Sequence, residues 1–269
     1  MHPRVNLHQV AFGPQSTTAF VDHCRAIGVS NMTLTTPHLM QPGGVEEALQ
    51  ALAHGGPRAA VVNYPMASGS TLDQAGDAET ARLAQAIDIA ARLGAPHVYL
   101  VSGGRGRLSW EEAAERFAAI VAPTLPACEQ KGVRLLVETA SHLNADMHFA
   151  HTLDDTIKLA EIAGIGVCIE LAACWFESGL REKFRRAMPN TGLVQISDYV
   201  SGDRSTPNRA VPGDGMVPNE RLLRDLLDLG YEGVFDLELV GPRIEAEGCH
   251  AATRRACENL SELLTKLGA

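Results

Sequence analysis

The chain alternates eight times between a short apolar run and a longer segment whose apolar residues have helical spacing. Short runs rich in Val, Ile and Leu predict strands that are buried on both faces, which is typical of parallel sheets. The eight predicted strands are Val5–Val10, Asn31–Thr35, Ala59–Tyr64, His97–Val101, Val133–Glu138, Ile165–Glu170, Gly192–Gln195 and Gly233–Glu238. Capping residues mark several of the intervening helices, such as Gly94 after Ala78–Leu93 and the capping-box residue Ser109 before the next helix.

Eight strand-then-helix units in 269 residues, without a linker-like or low-complexity segment, predict a single (β/α)8 TIM barrel over residues 1–269. A doubly wound open sheet is the alternative fold. Such a sheet would be expected to carry a glycine-rich dinucleotide-binding turn after an early strand, and Phe12-Gly13-Pro14 is not one. In a barrel, we expect the functional site at the carboxyl ends of the strands.

Composition limits the partners of the chain. A net charge of −9 and a pI near 5.6 argue against binding to nucleic acid or to an anionic membrane. No stretch is long enough to cross a bilayer, and the N-terminal residues lack the apolar segment of a signal peptide. The six cysteines show no C-x-x-C spacing and are interpreted as reduced thiols. We therefore expect a cytoplasmic protein that binds a small molecule, and a homo-oligomer is compatible with this composition.

Each of the last four predicted strands carries an oxygen-bearing side chain at or near its exit. These residues are Glu138, Glu170, Gln195 and Glu238. Alternation along a strand places all four on the inward face, at the mouth of the barrel. Three carboxylates and an amide in one mouth would repel one another without a cation, so we predict a divalent metal site. A donor set of oxygens without imidazole favours Mg²⁺ or Mn²⁺ over Zn²⁺ or Cu²⁺.

The same four side chains also have a purely structural interpretation. A carboxylate at a strand end can be satisfied by the N-terminus of the following helix or by an arginine, and the four would then share no ligand. Because they occur on consecutive strands, we favour the metal site. That site requires a common point about 2–2.5 Å from the four oxygens.

Four segments resemble the sugar-phosphate isomerase/epimerase family, the xylose-isomerase-like TIM barrels. They are VETASH…HTLDDTIKLA, GVCIELAACWFE, LVQISDYV…NRAVPGDG and GYEGVFDLELVGP. The resemblance is clearest over residues 130–242 and implies one catalytic divalent ion held by Glu, Asp, His and Glu from the last four strands. The matching positions here are Glu138, Glu170, Gln195 and Glu238. Glu170 thus stands where Asp is usual, Gln195 where His is commonest, and Ala173 where many members carry a His.

The resemblance also implies a reaction. The metal would act as a Lewis acid on a small sugar, sugar phosphate or related hydroxy-ketone while a proton is removed next to the carbonyl, giving an enediolate. Glu138 and Glu238 would serve as the acid/base pair as well as ligands. His142, just past the fifth strand, is a second candidate for proton transfer. Its other interpretation is a surface histidine of a loop.

Six further residues are candidates for substrate binding. They are Arg209, Asp198, His8, His38, Trp175 and Arg105. Arg209 aligns with a family loop arginine near the substrate, and Trp175 can offer an apolar wall to a sugar face. Arg105 lies among glycines whose N–H groups can face an anion, and the two histidines follow early strands. Each also has an ordinary interpretation as a solvated or packing residue.

Four functions remain open at this stage. The first is an isomerase or epimerase, and the second is a lyase or dehydratase that expels water from the same enediolate of a cyclic polyol or keto acid. Ala173 counts against both in their usual form. Abasic-site endonucleases share this barrel, but they use three metals and many His ligands that the chain lacks. The fourth is a barrel that binds sugar without catalysis.

Overall fold

The computed structural model describes residues 1–269 and contains a closed barrel of eight parallel strands in chain order. The strands are β1 Val5–His8, β2 Asn31–Thr35, β3 Arg58–Pro65, β4 His97–Val101, β5 Arg134–Glu138, β6 Gly166–Glu170, β7 Thr191–Ile196 and β8 Phe235–Leu237. Each strand pairs with the next, and β8 pairs with β1, which closes the sheet. The predicted TIM barrel is therefore confirmed, and the open-sheet alternative is excluded.

Helices surround the barrel on the outside of the strands. They are α1 Thr17–Ile27, α2 Thr36–Leu39, α3 Gly44–Ala53, α4 Asp77–Leu93, α5 Trp110–Val121, α6 Leu125–Lys131, α7 Leu153–Ala163, α8 Leu171–Cys174, α9 Leu180–Ala187, α10 Asn219–Asp228, α11 Pro242–Glu247 and α12 Cys249–Leu267. The sequence does not predict the short helices α2, α8 and α11, because one or two turns carry too little periodicity to be recognised. None of the helices combines the length and the apolar character that crossing a membrane would require.

Apolar side chains form two separate layers. The larger layer lies between the outer faces of the strands and the helices, and it contains Phe20, Phe117 and Leu260. The smaller layer fills the inside of the barrel and includes Tyr99 and Leu136. Since alternate residues of a strand point inward, the side chain two residues after Leu136 lies nearer the mouth, and that side chain is Glu138. An apolar plug therefore closes the barrel below the predicted site.

Two glycines set the geometry of β6 and β7 below that site. A Cβ added to Gly166 or to Gly192 would lie 2.6 Å from Cδ2 of Leu136, so the leucine of β5 fills the space that both glycines leave. The pairing of β6 with β7 shifts register between Val167 and Cys168. After this shift Glu170 lies directly opposite Gln195, which brings two of the predicted ligands side by side at the strand exits.

Candidate metal centre

Three glutamates converge at the carboxyl ends of β5, β6 and β8. Glu138, Glu170 and Glu238 each offer a carboxylate oxygen, and these oxygens lie within 4.8 Å of one another. Two oxygens that are each about 2.4 Å from one ion can be at most about 4.8 Å apart, so the spacing of each pair is compatible with a shared divalent cation. Glu138 and Glu170 are buried, with 4% and 0% exposure, and Glu238 is half-buried.

Glu170 uses its two carboxylate oxygens differently. Oε1 accepts the backbone N–H of Ala172 at 2.8 Å and thereby caps α8. Oε2 is fully buried and has no hydrogen-bond partner. The nearest cation is the guanidinium of Arg209, whose Nη2 lies 3.2 Å from Oε2 as an ion pair. A buried carboxylate oxygen without a hydrogen bond is costly, and a bound cation would satisfy it.

Gln195 reaches the cluster through its amide nitrogen. Nε2 donates to Glu238 Oε2 at 3.0 Å, while Oε1 accepts the thiol hydrogen of Cys168 at 3.2 Å. A metal ligand would have to be Oε1, which requires a half-turn of the amide and loss of the thiol contact. The structure therefore shows Gln195 as a donor that fixes Glu238, and its role as a metal ligand remains a prediction.

The carboxylates are held in an environment that disfavours their charge. Burial, followed by repulsion from Glu238 and Glu170, raises the pKa of Glu138 well above its ordinary value. Burial and the neighbouring carboxylates likewise raise the pKa of Glu238 to about 8. Burial alone would lower the pKa of Arg209, but the three glutamates raise it overall, so the guanidinium stays charged. One guanidinium facing three carboxylates leaves a negative excess, and this donor set fits a divalent metal.

A polar layer lies inside the barrel beneath the glutamates. Asn6 Nδ2 donates to Thr33 Oγ1 at 2.8 Å and to Asp236 Oδ1 at 2.5 Å. Burial raises the pKa of Asp236 to about 7, and its Oδ2 has no partner. His8 Nδ1 accepts the Val10 N–H at 3.0 Å, so its Nε2–H donates to the Tyr99 hydroxyl at 2.8 Å.

The position of His8 corrects one expectation from the sequence. The sequence predicts that it lines the mouth and binds substrate, but the ring is fully buried and both nitrogens are used inside the protein. Burial lowers its pKa to about 3, so the ring is neutral. His8 is a packing residue of the barrel interior.

A histidine that the sequence does not single out contacts the cluster. His148, in the loop after β5, is buried, and its Nε2 lies 3.8 Å from Glu138 Oε2. Its Nδ1 has no partner, and burial lowers its pKa to about 3. The sequence favours a surface or packing role for His148, because nothing in the loop shows that it folds back onto Glu138. The predicted candidate His142 lies in the same loop but is not buried, and no ion pair or hydrogen bond joins it to the glutamates.

An outer cavity of 490 Å³ opens above this half of the barrel. We use this name for the space between the loops that follow β5, β6 and β7. Its walls include His142, Trp175 and Phe176, and Arg209 lines it near the glutamates. The two predicted substrate-binding residues Trp175 and Arg209 thus lie together, with Arg209 joining the cavity to Glu170.

Three other predicted substrate-binding residues are not joined to the glutamates by any hydrogen bond or ion pair. The Asp198 carboxylate accepts the backbone N–H groups of Tyr199, Gly213 and Val217 at 2.8, 2.9 and 2.9 Å, so it holds the loop after β7 rather than facing a ligand. His38 Nδ1 lies 2.9 Å from Thr35 Oγ1 on the other side of the mouth. Arg105 is exposed in the loop after β4, with no partner for its side chain.

The fold is similar to that of several proteins of known structure. Protein SMc04130 from Sinorhizobium meliloti 1021 has a TM-score of 0.82 and 20% identity over 98% of both chains. D-psicose 3-epimerase from Clostridium cellulolyticum H10, solved with D-tagatose, has a TM-score of 0.76 and 13% identity over 96% of this chain and 98% of the other. A xylose isomerase-like TIM barrel protein from Mycobacterium smegmatis, solved with magnesium, has a TM-score of 0.72 and 17% identity over 99% of this chain and 98% of the other.

At these identities the structural likeness shows the fold alone. No curated protein matches the chain by sequence. A family model, however, matches residues 21–263, which is most of the chain. The description of that model agrees with the resemblance seen in the strand-end segments. The chain belongs to the family of xylose isomerase-like TIM barrels.

Proposed function

We propose that this protein is a divalent-metal-dependent isomerase or epimerase that acts on a small sugar, sugar phosphate or related hydroxy-ketone. The observation that carries the proposal is the convergence of Glu138, Glu170 and Glu238 within 4.8 Å, with one buried oxygen left without a hydrogen bond. Membership of the xylose isomerase-like family supports it. A structural neighbour that is an epimerase solved with a sugar, and another solved with magnesium, agree with it.

The three glutamates would hold the ion, with Gln195 as a fourth ligand after a half-turn of its amide. Mg²⁺ or Mn²⁺ suits this set, because every donor is an oxygen and no imidazole takes part. When bound, such an ion supplies Lewis-acid polarisation of a substrate carbonyl. The remaining chemistry belongs to the side chains of the chain itself.

Glu238 is the carboxylate best placed to take a proton from the substrate. It is half-buried whereas Glu138 and Glu170 are buried, so a substrate that enters from the mouth meets Glu238 first. Without the ion, Gln195 Nε2 holds Oε2 of Glu238 in place; the half-turn that would make Gln195 a ligand ends this hydrogen bond, and the ion would then orient the carboxylate for proton transfer from the carbon next to a carbonyl.

Glu138 is the second carboxylate of the pair. Its Oε2 lies 3.8 Å from Nε2 of His148. Return of the proton to the opposite face of the same carbon gives epimerisation, and return to the neighbouring carbon gives isomerisation. His142 stays a secondary candidate for proton transfer, acting from the outer cavity instead of the cluster.

Arg209 provides the positive charge that holds the substrate. Its Nη2 pairs with Glu170, and no other protein group accepts a hydrogen bond from its guanidinium. The other N–H groups therefore remain available, at the wall of the outer cavity, for a hydroxyl, a phosphate or the developing enediolate oxygen.

Deuterium exchange tests the proposal. Metal-free protein reloaded with Mn²⁺ or Mg²⁺ should bind the ion and catalyse exchange of solvent deuterium into candidate ketoses or hydroxy-ketones. Glu238→Gln should reduce the exchange rate at least about 100-fold. The matched control is Glu115→Gln, which changes an exposed glutamate of α5 and should leave the rate unchanged.

Three outcomes would count against this function. Exchange that persists in Glu238→Gln would remove the acid/base assignment. Absence of any binding of Mn²⁺ or Mg²⁺ by the metal-free protein would remove the metal site. Products that have lost water would identify a lyase in place of an isomerase.

A further inference from the structure

The outer cavity combines features that the proposed reaction does not require. It has a volume of 490 Å³ and is enclosed by the loops after β5, β6 and β7. The cavity touches the metal centre through Arg209, which pairs with Glu170, and through Ala172, whose N–H donates to the same carboxylate. Arg209 and Ala172 therefore border both the cavity and the glutamate cluster, so the cavity adjoins the metal centre.

Apolar side chains are exposed toward this cavity from two of its walls. Phe176 is 60% exposed and packs edge-to-face on Trp175, with 6.1 Å between the ring centroids. Leu143, from the loop after β5, is 44% exposed and lines the same space. Single exposed apolar residues are common, but two that line one cavity next to the half-buried Trp175, beside a candidate active site, indicate an apolar ligand group.

The volume of the cavity points the same way. A water molecule occupies about 30 Å³ in the liquid, so 490 Å³ corresponds to roughly sixteen waters. A free hexose has about twelve non-hydrogen atoms, and even at one water volume per atom it would leave part of this space unfilled. A hexose at the metal centre would moreover place only part of its own ring in the outer cavity.

The polar groups indicate which end of a ligand faces the glutamates. Arg209 lies at the inner end, beside the glutamates, where it favours hydroxyl or anionic groups. Phe176 and Leu143 are the most exposed apolar side chains of the lining and so lie on its solvent side. Arg204 and His142 also line the cavity and have no side-chain hydrogen bonds of their own. The inner end of the cavity is thus charged, and its solvent side carries the exposed apolar side chains together with the exposed Arg204 and His142.

We infer that the substrate is a conjugated hydroxy-ketone or keto sugar, in which the hydroxylated part that bears the carbonyl lies at the glutamates and an apolar ring substituent binds between Leu143 and Trp175–Phe176. This inference rests on the proposed function and specifies its substrate class. The ring substituent gives affinity by burying the exposed aromatic surface, while Arg209 selects the hydroxylated end. Free small sugars would bind the same centre more weakly.

Tryptophan fluorescence can test the inference without any catalytic activity. The chain has two tryptophans, so Trp110→Phe leaves Trp175 as the only reporter. Phenyl β-D-glucopyranoside, phenyl β-D-galactopyranoside and the two free sugars are titrated in the presence of EDTA and again with Mg²⁺. The phenyl glycosides should change the Trp175 emission and bind at least about tenfold more tightly than the free sugars.

Two variants locate the binding to the cavity. Phe176→Ala and Leu143→Ala should each weaken the binding of phenyl glycosides about threefold to tenfold and leave the binding of free sugars unchanged. Ile162→Ala removes an apolar side chain of similar exposure, 45%, from α7 outside the cavity and should have no effect. Thermal unfolding of each variant verifies that it is folded.

Equal affinity for phenyl glycosides and free sugars, including no measurable binding of either, would overturn the inference. The inference also fails if Phe176→Ala and Ile162→Ala behave alike. If deuterium exchange occurs with free sugars and is no faster with conjugated ones, the proposed function stands and only the inferred substrate class is wrong. Binding of phenyl glycosides without metal binding would instead remove the proposed function.

Discussion

The two halves of the barrel mouth differ in how their polar groups are satisfied. In the half formed by β1 to β4, the strand-end groups find partners within the protein. His8 bonds Tyr99, the Thr35 N–H donates to Gln9 Oε1 at 3.0 Å, and Ser102 Oγ accepts the Phe149 N–H at 3.1 Å. Among the strand residues of this half, only Asn6 Oδ1 is buried without a partner.

The half formed by β5 to β8 contains most of the buried polar atoms that lack a partner. These atoms are Thr139 Oγ1, His148 Nδ1, Glu170 Oε2, Ser197 Oγ, Asn219 Oδ1 and Asp236 Oδ2. Native proteins leave few such groups unpaired, so their accumulation in one half supports the ligand site proposed there. The comparison shows that two halves of one rim can differ in how fully the protein satisfies its own buried polar groups.

The largest effect should come from removing charge in the β5 to β8 half. Glu170→Gln keeps an oxygen to cap α8 but removes the negative charge of Oε2. We expect the affinity for Mn²⁺ to fall more than about 100-fold, measured by calorimetry on protein that has been freed of metal. Glu115→Gln is the matched control. An unchanged Mn²⁺ affinity in Glu170→Gln would show that the β5 to β8 half does not bind the metal through Glu170.

A substitution in the β1 to β4 half should lower the stability of the protein and leave its metal affinity almost unchanged. His8→Ala leaves a cavity and a buried Tyr99 hydroxyl without a partner, so we expect a loss of about 2 kcal/mol in the free energy of unfolding. Metal affinity should change less than about twofold, because His8 makes no contact with the glutamates. Denaturant unfolding and metal titration of the same variant check both parts. A large loss of metal affinity would show that the halves are coupled.

In metal-free protein, the pH dependence of stability should reflect the buried carboxylates of the β5 to β8 half. Glu238 and Asp236 have folded pKa values raised to about 8 and about 7, above the ordinary values of 4.5 and 3.8. For such groups the unfolded chain ionises first, so stability is lost as the pH rises through the folded pKa. Each group costs at most about 1.4 kcal/mol per pH unit.

The window from about pH 6.5 to 8 isolates these carboxylates. Below this window, stability instead rises with pH, because His8, His23 and His148 have lowered pKa values and bind a proton in the unfolded chain that they do not bind in the folded protein. The melting temperature of metal-free protein should therefore fall between about pH 6.5 and 8, and saturating Mg²⁺ should reverse the fall. A melting temperature that rises across this window without metal would contradict the assignment.

The smallest effect should separate the two histidines of the loop after β5. His148→Gln should weaken metal binding by up to about tenfold, because it removes the ring that packs against Glu138. His142→Gln should leave metal binding unchanged, since that side chain lines the outer cavity instead of the cluster. Titration of both variants with Mn²⁺ provides the measurement. The reverse order of effects would restore His142 as the residue that acts at the cluster.

The strand-end glutamates are predictable because they depend only on strand periodicity. Once Leu136 is assigned to the inside of β5, alternation places Glu138 on the same face, and the same reasoning applies to Asp236 and Glu238 in β8. The order of strand and helix segments then determines the barrel, and a barrel brings strand exits together. Local patterns are sufficient for both steps.

Contacts made by loops and by rotatable amides are not predictable in this way. The return of His148 onto Glu138 depends on the path of a loop, and the direction of the Gln195 amide depends on the thiol of Cys168. Asp198 is expected from the sequence to face a ligand, yet it binds amides that are up to 19 residues away along the chain. Such contacts arise from tertiary packing, which leaves no periodic trace in the sequence.

Backbone hydrogen bonds fix both ends of the loop after β7, and this affects how its substrate specificity could change. Asp198 and Ala210 exchange backbone hydrogen bonds of 2.8 and 2.9 Å, and the Arg209 N–H donates to Val240 O at 3.0 Å. The intervening residues 199–208 can therefore be replaced by a shorter or longer segment while the guanidinium of Arg209 keeps its place beside Glu170. Exchange of this segment, by evolution or by design, would change which molecules fit the outer cavity without altering the proposed metal centre.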